Sequence, residues 1–235
     1  MKRKLLSRLF IYGIFTTSTI LSTVTAQDRE SRPIPDIITQ VYVSSGIDLY
    51  VTQAGKSSLE IEANKDVMGK IITEIKGHEL RIYTSNHFRW KRTTTPKVHL
   101  TLNQIEKIVC TAGADVYTKN AIKTDSLELI VKSGADMYAT VDTKLLKITS
   151  SSGSDIKVKG KTVSLIASAG SGSDIIAEDL AAKYVKVSTS SGSDAKVYAL
   201  ESIDAHASSG SDIIFFGDPI NKSVKKSSGG DVTQK

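Results

Sequence analysis

The sequence predicts an all-β protein built as a parallel β-helix, a solenoid whose rungs have about 19 residues each. Three observations predict this fold. The tetrapeptide Ser/Ala-Gly-Ser/Ala-Asp recurs through the C-terminal half of the chain at intervals of 18 to 21 residues. Apolar and polar residues alternate on both sides of each tetrapeptide, as they do in strands with one buried face. No segment of the repeat shows the periodicity of a helix.

Residues 1–26 are predicted to be a secretory signal peptide. A basic segment at residues 2–8 precedes an apolar run at residues 9–21 and small residues at 24–26, before a cleavage point at Gln27. A retained anchor is the alternative, although a membrane span needs roughly 20 apolar residues. Removing the four basic residues of this segment lowers the net charge from +6 to +2. We therefore expect no nucleic-acid partner and no membrane span in the mature chain.

The mature chain is predicted to begin with a flexible leader at residues 27–37, which are mostly polar and contain two prolines. Residues 38–107 are β-rich but do not follow the repeat, and we expect them to cap the N-terminal end of the solenoid. Residues 44–48 are a distant copy of the tetrapeptide. A helical turn is expected at 64–69 and a hairpin turn at 76–78. The candidate strands of this section are residues 39–43, 48–52, 58–63, 71–75, 80–83 and 98–102.

The repeat occupies residues 108–235 and places one tight corner in each rung. A corner of this kind needs φ > 0 or a close backbone approach, which glycine permits. The neighbouring serine and aspartate can satisfy turn amides that no strand partner reaches. Stacked rungs then form a turn ladder, and the preference of parallel crossovers favours a right-handed coil over a left-handed one. The ladder comprises Gly113, Asp115, Gly134, Asp136, Gly153, Asp155, Gly172, Asp174, Gly192, Asp194, Gly210 and Asp212, and degenerates at Asp231.

Two N-terminal runs and the serial turns carry a family resemblance. The run at residues 43–53 (VSSGIDLYVTQ), the run LEIEA at 59–63 and the repeated Ser-Gly-Ser-Asp turns resemble the putative auto-transporter adhesin head GIN domain family. The resemblance covers residues 37–235 and implies an exported, non-catalytic β-helical domain of a family found mainly in Bacteroidetes. Ala112 and Ile47 depart from the pattern of the other turns. The resemblance implies no catalytic residue.

The aspartates of the ladder are expected to stand about 5 Å apart if the rungs stack in register. Like charges at that distance repel by ~1 kcal/mol in water. Our interpretation is that each aspartate caps its own corner through backbone N–H groups. The alternative is a row of Ca²⁺ sites, because carboxylates are ligands that calcium prefers. The order of glycine, aspartate and apolar residues differs from the calcium-binding nonapeptide repeat, so we predict no metal and no cofactor.

The segment from Asn86 to Arg92 is the candidate ligand loop. It contains the single tryptophan of the chain, flanked by cationic residues, in the order His87, Phe88, Arg89, Trp90, Lys91 and Arg92. Such a cluster can stack on sugars or bind anionic groups, and a hairpin extension with the ring folded back is the alternative. Tyr117 and Tyr138 share an outward column, where we expect them to stack on each other. Cys110 occupies a small inward position and is expected to be a buried thiol.

The sequence predicts no catalytic residue. Nucleophile, metalloprotease and nucleotide-binding motifs are absent, and the regular repeat leaves no room for the long loops that form a glycosidase cleft. We predict an exported, adhesin-like or structural module of the periplasm, the cell surface or the medium, with a cell-surface glycan or an envelope protein as partner. A carbohydrate-active β-helix enzyme is the alternative.

Overall fold

The computed structural model describes residues 28–85 and 95–235, so the predicted signal peptide lies outside the described residues. These residues form a single coiled sheet of 17 strands and one short helix. No helix among them is long and apolar enough to span a membrane. The solenoid predicted from the repeat is confirmed.

The repeat half is a stack of parallel, in-register rungs. Four long strands, at Asp136–Ser151, Asp155–Gly170, Asp174–Ser190 and Asp194–Ala207, each begin at the aspartate of one tetrapeptide and run almost to the next. In the first two of these, Asp136 pairs with Asp155 and Ser150 with Ala169. The strands are β8 (Lys107–Thr111), β9 (Asp115–Thr118), β10 (Ile122–Lys132), β11 (Asp136–Ser151), β12 (Asp155–Gly170), β13 (Asp174–Ser190), β14 (Asp194–Ala207), β15 (Asp212–Phe216), β16 (Asn221–Lys226) and β17 (Asp231–Gln234).

Each long strand bends at a second corner, which lies about midway between one tetrapeptide turn and the next. In β11 the buried positions are every second residue up to Thr143, and the alternation then shifts so that Leu146 is the next buried one. Because side chains of a strand alternate between its two faces, such a shift keeps both halves of the rung facing one core. Irregular pairing at Ala177/Ala181 marks the same corner in β13.

The N-terminal section stacks its strands in an order different from their order in the chain. β2 (Gln40–Val43) lies between β6 (Glu79–Thr84) and β8, and β3 (Asp48–Gln53) lies between β7 (Lys97–Leu102) and β9, all in parallel. The rung that is first in sequence is therefore second in space. On the outer side of this stack, β5 (Ile71–Lys76) pairs antiparallel with β6, and β4 (Ser58–Ala63) pairs antiparallel with β7. The short helix of this section is α1 (Lys65–Met68).

The flexible leader expected at residues 27–37 is partly wrong. Asp28–Arg32 form an edge strand, β1, that pairs antiparallel with β4. This strand has no apolar side chain to bury, and ion pairs with the neighbouring strand stabilise it instead. Arg29 contacts Glu60 at 2.8 Å and Glu62 at 2.9 Å, and Arg32 donates to the carbonyl of Ile71 at 2.7 Å.

At the C-terminal end of the solenoid, lysines occupy two positions of the inward column. Lys222 and Lys226 of β16 lie beside the inward residues Ile203 and Ala207 of β14. Their ammonium groups contact Asp218 at 3.0 Å and Asp231 at 2.6 Å, respectively. Charges at inward positions are a known device against further strand pairing. These two charges therefore disfavour the pairing of another strand with β16.

Candidate functional site

The corners of the rungs are built from two successive residues with positive φ. Ser152 has φ 63° and Gly153 has φ 65°, so a serine shares the left-handed region that the sequence analysis assigned to glycine alone. Gly153 N–H donates to the carbonyl of Ser171 in the next rung at 3.1 Å. The same geometry recurs at Gly113, Gly134, Gly172, Gly192 and Gly210.

The third residue of the tetrapeptide closes each corner from inside. Ser173 is fully buried. Its hydroxyl accepts from Gly170 N–H at 3.2 Å and donates to the Gly170 carbonyl at 2.9 Å. Ala114 and Ala135 take this position in earlier rungs without such bonds. The serine therefore satisfies turn amides, as the sequence analysis expected.

The aspartates stand in one continuous column. Cα pairing joins Asp48, Asp115, Asp136, Asp155, Asp174, Asp194, Asp212 and Asp231 in order. Our interpretation that each aspartate caps its own corner is wrong for the aspartates whose carboxylate hydrogen bonds are seen in the structure. Asp174 N–H donates to Oδ1 of Asp155 at 3.2 Å, and Asp212 N–H donates to Oδ1 of Asp194 at 3.0 Å. The carboxylates of Asp155, Asp174 and Asp194 therefore each link two rungs.

The column creates a shared negative charge. Burial, and then the neighbouring Asp136, raise the pKa of Asp115 above its ordinary value. Burial and Asp115 raise the pKa of Asp48 in the same way. At the C-terminal end, hydrogen bonds from Lys226 and Thr233 lower the pKa of Asp231. Across residues 28–85 and 95–235, no three His, Cys, Asp or Glu side chains converge as metal ligands would.

A column of stacked aromatic rings lies two residues after the aspartates. Tyr117 and Tyr138 stack at 5.2 Å with an angle of 1° between the rings, which confirms the stacking expected from the sequence. The stack continues to Tyr50 at 5.3 Å and from Tyr50 to His99 at 5.2 Å. We call His99, Tyr50, Tyr117 and Tyr138 the tyrosine column. Burial and the aspartates nearby raise the pKa of Tyr117 to about 12.

Sequence reasoning missed two members of this column. Tyr50 could have been found, because it follows Asp48 by the same two residues that separate Tyr117 from Asp115. His99 carried no such signal, because Lys97 stands where the other rungs have aspartate and no tetrapeptide precedes it. Only the pairing of β7 with β3 places the His99 ring on Tyr50.

The column ends beside a cleft of about 310 Å³, which we call the Tyr138 cleft. Tyr138 is 46 % exposed, and in the described part of the chain Tyr117 is the ring that stacks on it. On the next rung the column continues as Lys157, which pairs with Tyr138. The cleft is lined by Tyr117, Thr118, Tyr138, Ala139, Thr140, Lys157 and Lys159. It therefore combines an aromatic ring, hydroxyls and ammonium groups.

A larger groove of about 660 Å³ follows the second corner of the rungs. Its carboxylates are engaged by lysines from neighbouring rungs. Lys144 contacts Asp125 at 3.0 Å, and Lys161 contacts Asp142 at 3.4 Å. Val163 and Leu200 give the groove an exposed apolar floor.

Two further predicted features are placed as follows. Cys110 is buried and its thiol donates to the carbonyl of Ala114 at 2.9 Å. Burial, followed by the charges of the aspartate column, raises the pKa of this thiol, which makes it unreactive. The candidate ligand loop, His87 to Arg92, lies outside the described residues. It joins β6, which ends at Thr84, to β7, which begins beside Asp48 at the turn edge.

The solved structures that share this fold include the following three. A putative adhesin from Bacteroides fragilis superposes with a TM-score of 0.84 at 21% identity, covering 90% of this chain and 98% of its own. A putative adhesin from Parabacteroides merdae gives 0.70 at 16% identity, with coverage of 90% and 97%. A putative lipid binding protein from Parabacteroides distasonis gives 0.68 at 16% identity, with coverage of 90% and 98%. No curated protein matches the chain.

Sequence comparison extends this likeness from the fold to the family. The family model described as "putative auto-transporter adhesin, head GIN domain" matches residues 38–219. The match spans the N-terminal section and all but the last rung of the repeat. The chain therefore belongs to the auto-transporter adhesin head GIN domain family.

Proposed function

We propose that this chain is an exported, non-catalytic adhesin-like module that binds a cell-surface glycan along the tyrosine column. The observation that carries the proposal is the ring of Tyr138, which ends the stack and borders an open cleft. A tyrosine ring offers an apolar face and a polar tip, which suits a ligand that has apolar C–H faces and many hydroxyls. The family description points in the same direction.

The rings of the column are held in place before any ligand arrives. Tyr117 is stacked on both sides, by Tyr50 and by Tyr138, and each ring lies on a strand that is paired with its neighbours. A side chain that is already ordered loses little conformational entropy on binding. Rigid tyrosines are for this reason effective anchors in binding surfaces.

The carboxylates of the larger groove favour binding over hydrolysis. A glycosidase needs one carboxyl group as acid and a second as base or nucleophile across a cleft. Asp125 and Asp142 instead form ion pairs with lysines of adjacent rungs. The Cys110 thiol is buried and offers no accessible nucleophile.

Binding of the full chain to a panel of neutral and acidic polysaccharides tests the proposal. Tyr138→Ala is expected to weaken binding, because it removes the exposed ring from the cleft. Tyr184→Ala is the matched control: Tyr184 is equally exposed, at 46 %, and lies on the part of β13 that precedes the tetrapeptide turn. Equal loss in both variants, or no binding by the native chain, contradicts the proposal. Release of new reducing ends from the panel would support the enzyme alternative.

Export is the second element of the proposal. It rests on the predicted signal at residues 1–26 and on the family to which the chain belongs. Fractionation of the producing cell tests it, with the protein expected in the periplasm, on the surface or in the medium. Recovery from the cytoplasm alone with an uncleaved N-terminus would contradict it.

A further inference from the structure

The aromatic column changes into a cationic one at the Tyr138 cleft. In the pairing of β11 with β12, Tyr138 faces Lys157 and Thr140 faces Lys159. Lys119 extends the positive charge along the column, since its ammonium lies 4.9 Å from the centre of the Tyr50 ring. Rings and ammonium groups therefore share one outward face.

The two lysines of the cleft are not used by the fold. Across the described ranges, neither Lys157 nor Lys159 has an ion-pair partner, whereas Lys144 and Lys161 at the second corner are each paired with an aspartate. Asp155 stands two residues before Lys157, but its carboxylate accepts the N–H of Asp174. The side chains of Lys157 and Lys159 are exposed, so both ammonium groups are accessible to a ligand.

The cleft also offers a polar group near the ring. Thr118 Oγ1 accepts the N–H of Thr140 at 2.8 Å, which leaves its hydroxyl hydrogen to be donated elsewhere. A ligand in the cleft thus meets an aromatic face, a hydroxyl donor and two ammonium groups. Ammonium groups form their strongest hydrogen bonds with ionised oxygens.

We infer that the Tyr138 cleft binds an acidic sugar of the glycan, one that carries a carboxylate or a sulfate. The inference rests on the proposed function and adds the charge of the ligand to it. The ring of Tyr138 contacts the sugar, and Lys157 and Lys159 bind its anionic group. Nucleic acid is disfavoured as the occupant, because the chain without residues 1–26 carries a net charge of only +2, from +6 less the four basic residues removed.

Ligand pairs that share a sugar backbone and differ in charge test the inference on the full chain. Polygalacturonate is compared with its methyl ester, and dextran sulfate with dextran, by titration calorimetry at two salt concentrations. We expect the chain to bind the acidic member of a pair at least about tenfold more tightly, the change that one charge-assisted contact gives. The first pair reports a carboxylated sugar and the second a sulfated one. Added salt is expected to weaken both acidic complexes.

Two double variants test which lysines bind the anionic group of the ligand. Lys157→Gln with Lys159→Gln removes both ammonium groups from the cleft, and is expected to lower affinity for the acidic ligand by about tenfold or more. Lys147→Gln with Lys186→Gln removes the same charge from exposed positions on the opposite half of the rungs, and is expected to leave the affinity within about twofold of the native value. All four side chains point outward, so thermal unfolding is expected to be unchanged.

The outcomes separate this inference from the proposed function. Equal binding of charged and neutral ligands, with loss in Tyr138→Ala, overturns the acidic ligand and leaves glycan binding supported. Equal loss in both double variants also overturns it, because the chain then responds to net charge alone. Tighter binding of single-stranded DNA than of either acidic glycan overturns it as well. Absence of binding to every glycan overturns the proposed function itself.

Discussion

Three glycines of the solenoid are expected to respond differently to the same substitution by alanine. Gly153 lies at a corner with φ 65°, and a Cβ there would meet no atom within 4 Å. Gly160 has φ 117°, and a Cβ there would stand 2.1 Å from the carbonyl oxygen of Val141. Gly55 has neither a positive φ nor a close neighbour, so Gly55→Ala is the control.

The magnitudes follow from these geometries. Alanine in the left-handed region costs about 1–2 kcal/mol, and the reduced freedom of the unfolded chain returns about 0.4–1 kcal/mol. Gly153→Ala should therefore destabilise the protein by roughly 1 kcal/mol. At Gly160 the backbone strain of about 1–3 kcal/mol adds to a disturbed contact with Val141 worth a similar amount, or about 3 kcal/mol in total. Gly55→Ala should be neutral or slightly stabilising.

Thermal unfolding followed by circular dichroism measures the three effects. A change of 1 kcal/mol shifts the Tm of a chain of this size by about 2–4 °C. We therefore expect a decrease of about 2–4 °C for Gly153→Ala and about 6–12 °C for Gly160→Ala. If Gly160→Ala proved no more destabilising than Gly153→Ala, the close approach of the two rungs at Val141 would not be a real constraint, and the reasoning would be wrong.

The remaining predictions concern charge. Because the pKa of Asp115 and of Asp174 is raised above the ordinary 3.8, the fold binds these protons more tightly than the unfolded chain does. Tm should therefore rise as pH falls from 7 toward about 4.5, and a flat or falling profile in that range would contradict the burial and mutual repulsion of these carboxylates. The lowered pKa values of Glu62, Glu74 and Glu201 act in the opposite direction below about 4.5, and that of Asp231 does so below about 3.8. If the column binds no calcium, Ca²⁺ and EDTA should leave Tm unchanged, and Asp155→Asn should cost little because asparagine keeps an acceptor for Asp174 N–H; an EDTA-reversible shift of several degrees would instead establish a calcium row. Lys226→Val should promote concentration-dependent association, detectable by light scattering, because it removes an inward charge from the last rung, whereas Lys225→Val on the outward face should not.

The repeat was sufficient to predict the solenoid because its information is local. Each tetrapeptide fixes one corner, and equal spacing places equivalent residues on adjacent rungs. In the N-terminal section, which does not follow the repeat, local alternation and turn signals located β2 to β7, the helical turn at α1 and the hairpin turn at Gly77. The repeat also predicted the stack of Tyr117 on Tyr138. What depends on the period alone could be predicted.

The features that were missed depend on contacts between distant segments. Nothing in residues 28–32 indicates a strand, since four of the five are exposed and all are polar; the partners Glu60 and Glu62 supply the reason for β1. The exchange of rung order at β2 and β6 is invisible to periodicity. The aspartates were expected to accept hydrogen bonds from their own corner, but they accept them from the next rung. The sequence cannot distinguish the two, because the same carboxylate oxygen serves as the acceptor in both.

Specificity in a solenoid can arise only where the repeat is broken. A perfect repeat would present identical columns on every rung, and a ligand could slide along it without a preferred position. The column that starts at His99 is aromatic up to Tyr138, and it becomes cationic at Lys157 and apolar at Ile176. The cleft lies at the first of these changes. The rungs before Tyr138 supply rings, and the rung after it supplies ammonium groups. A ligand that contacted both at this boundary, as we propose, would have a fixed register on the solenoid.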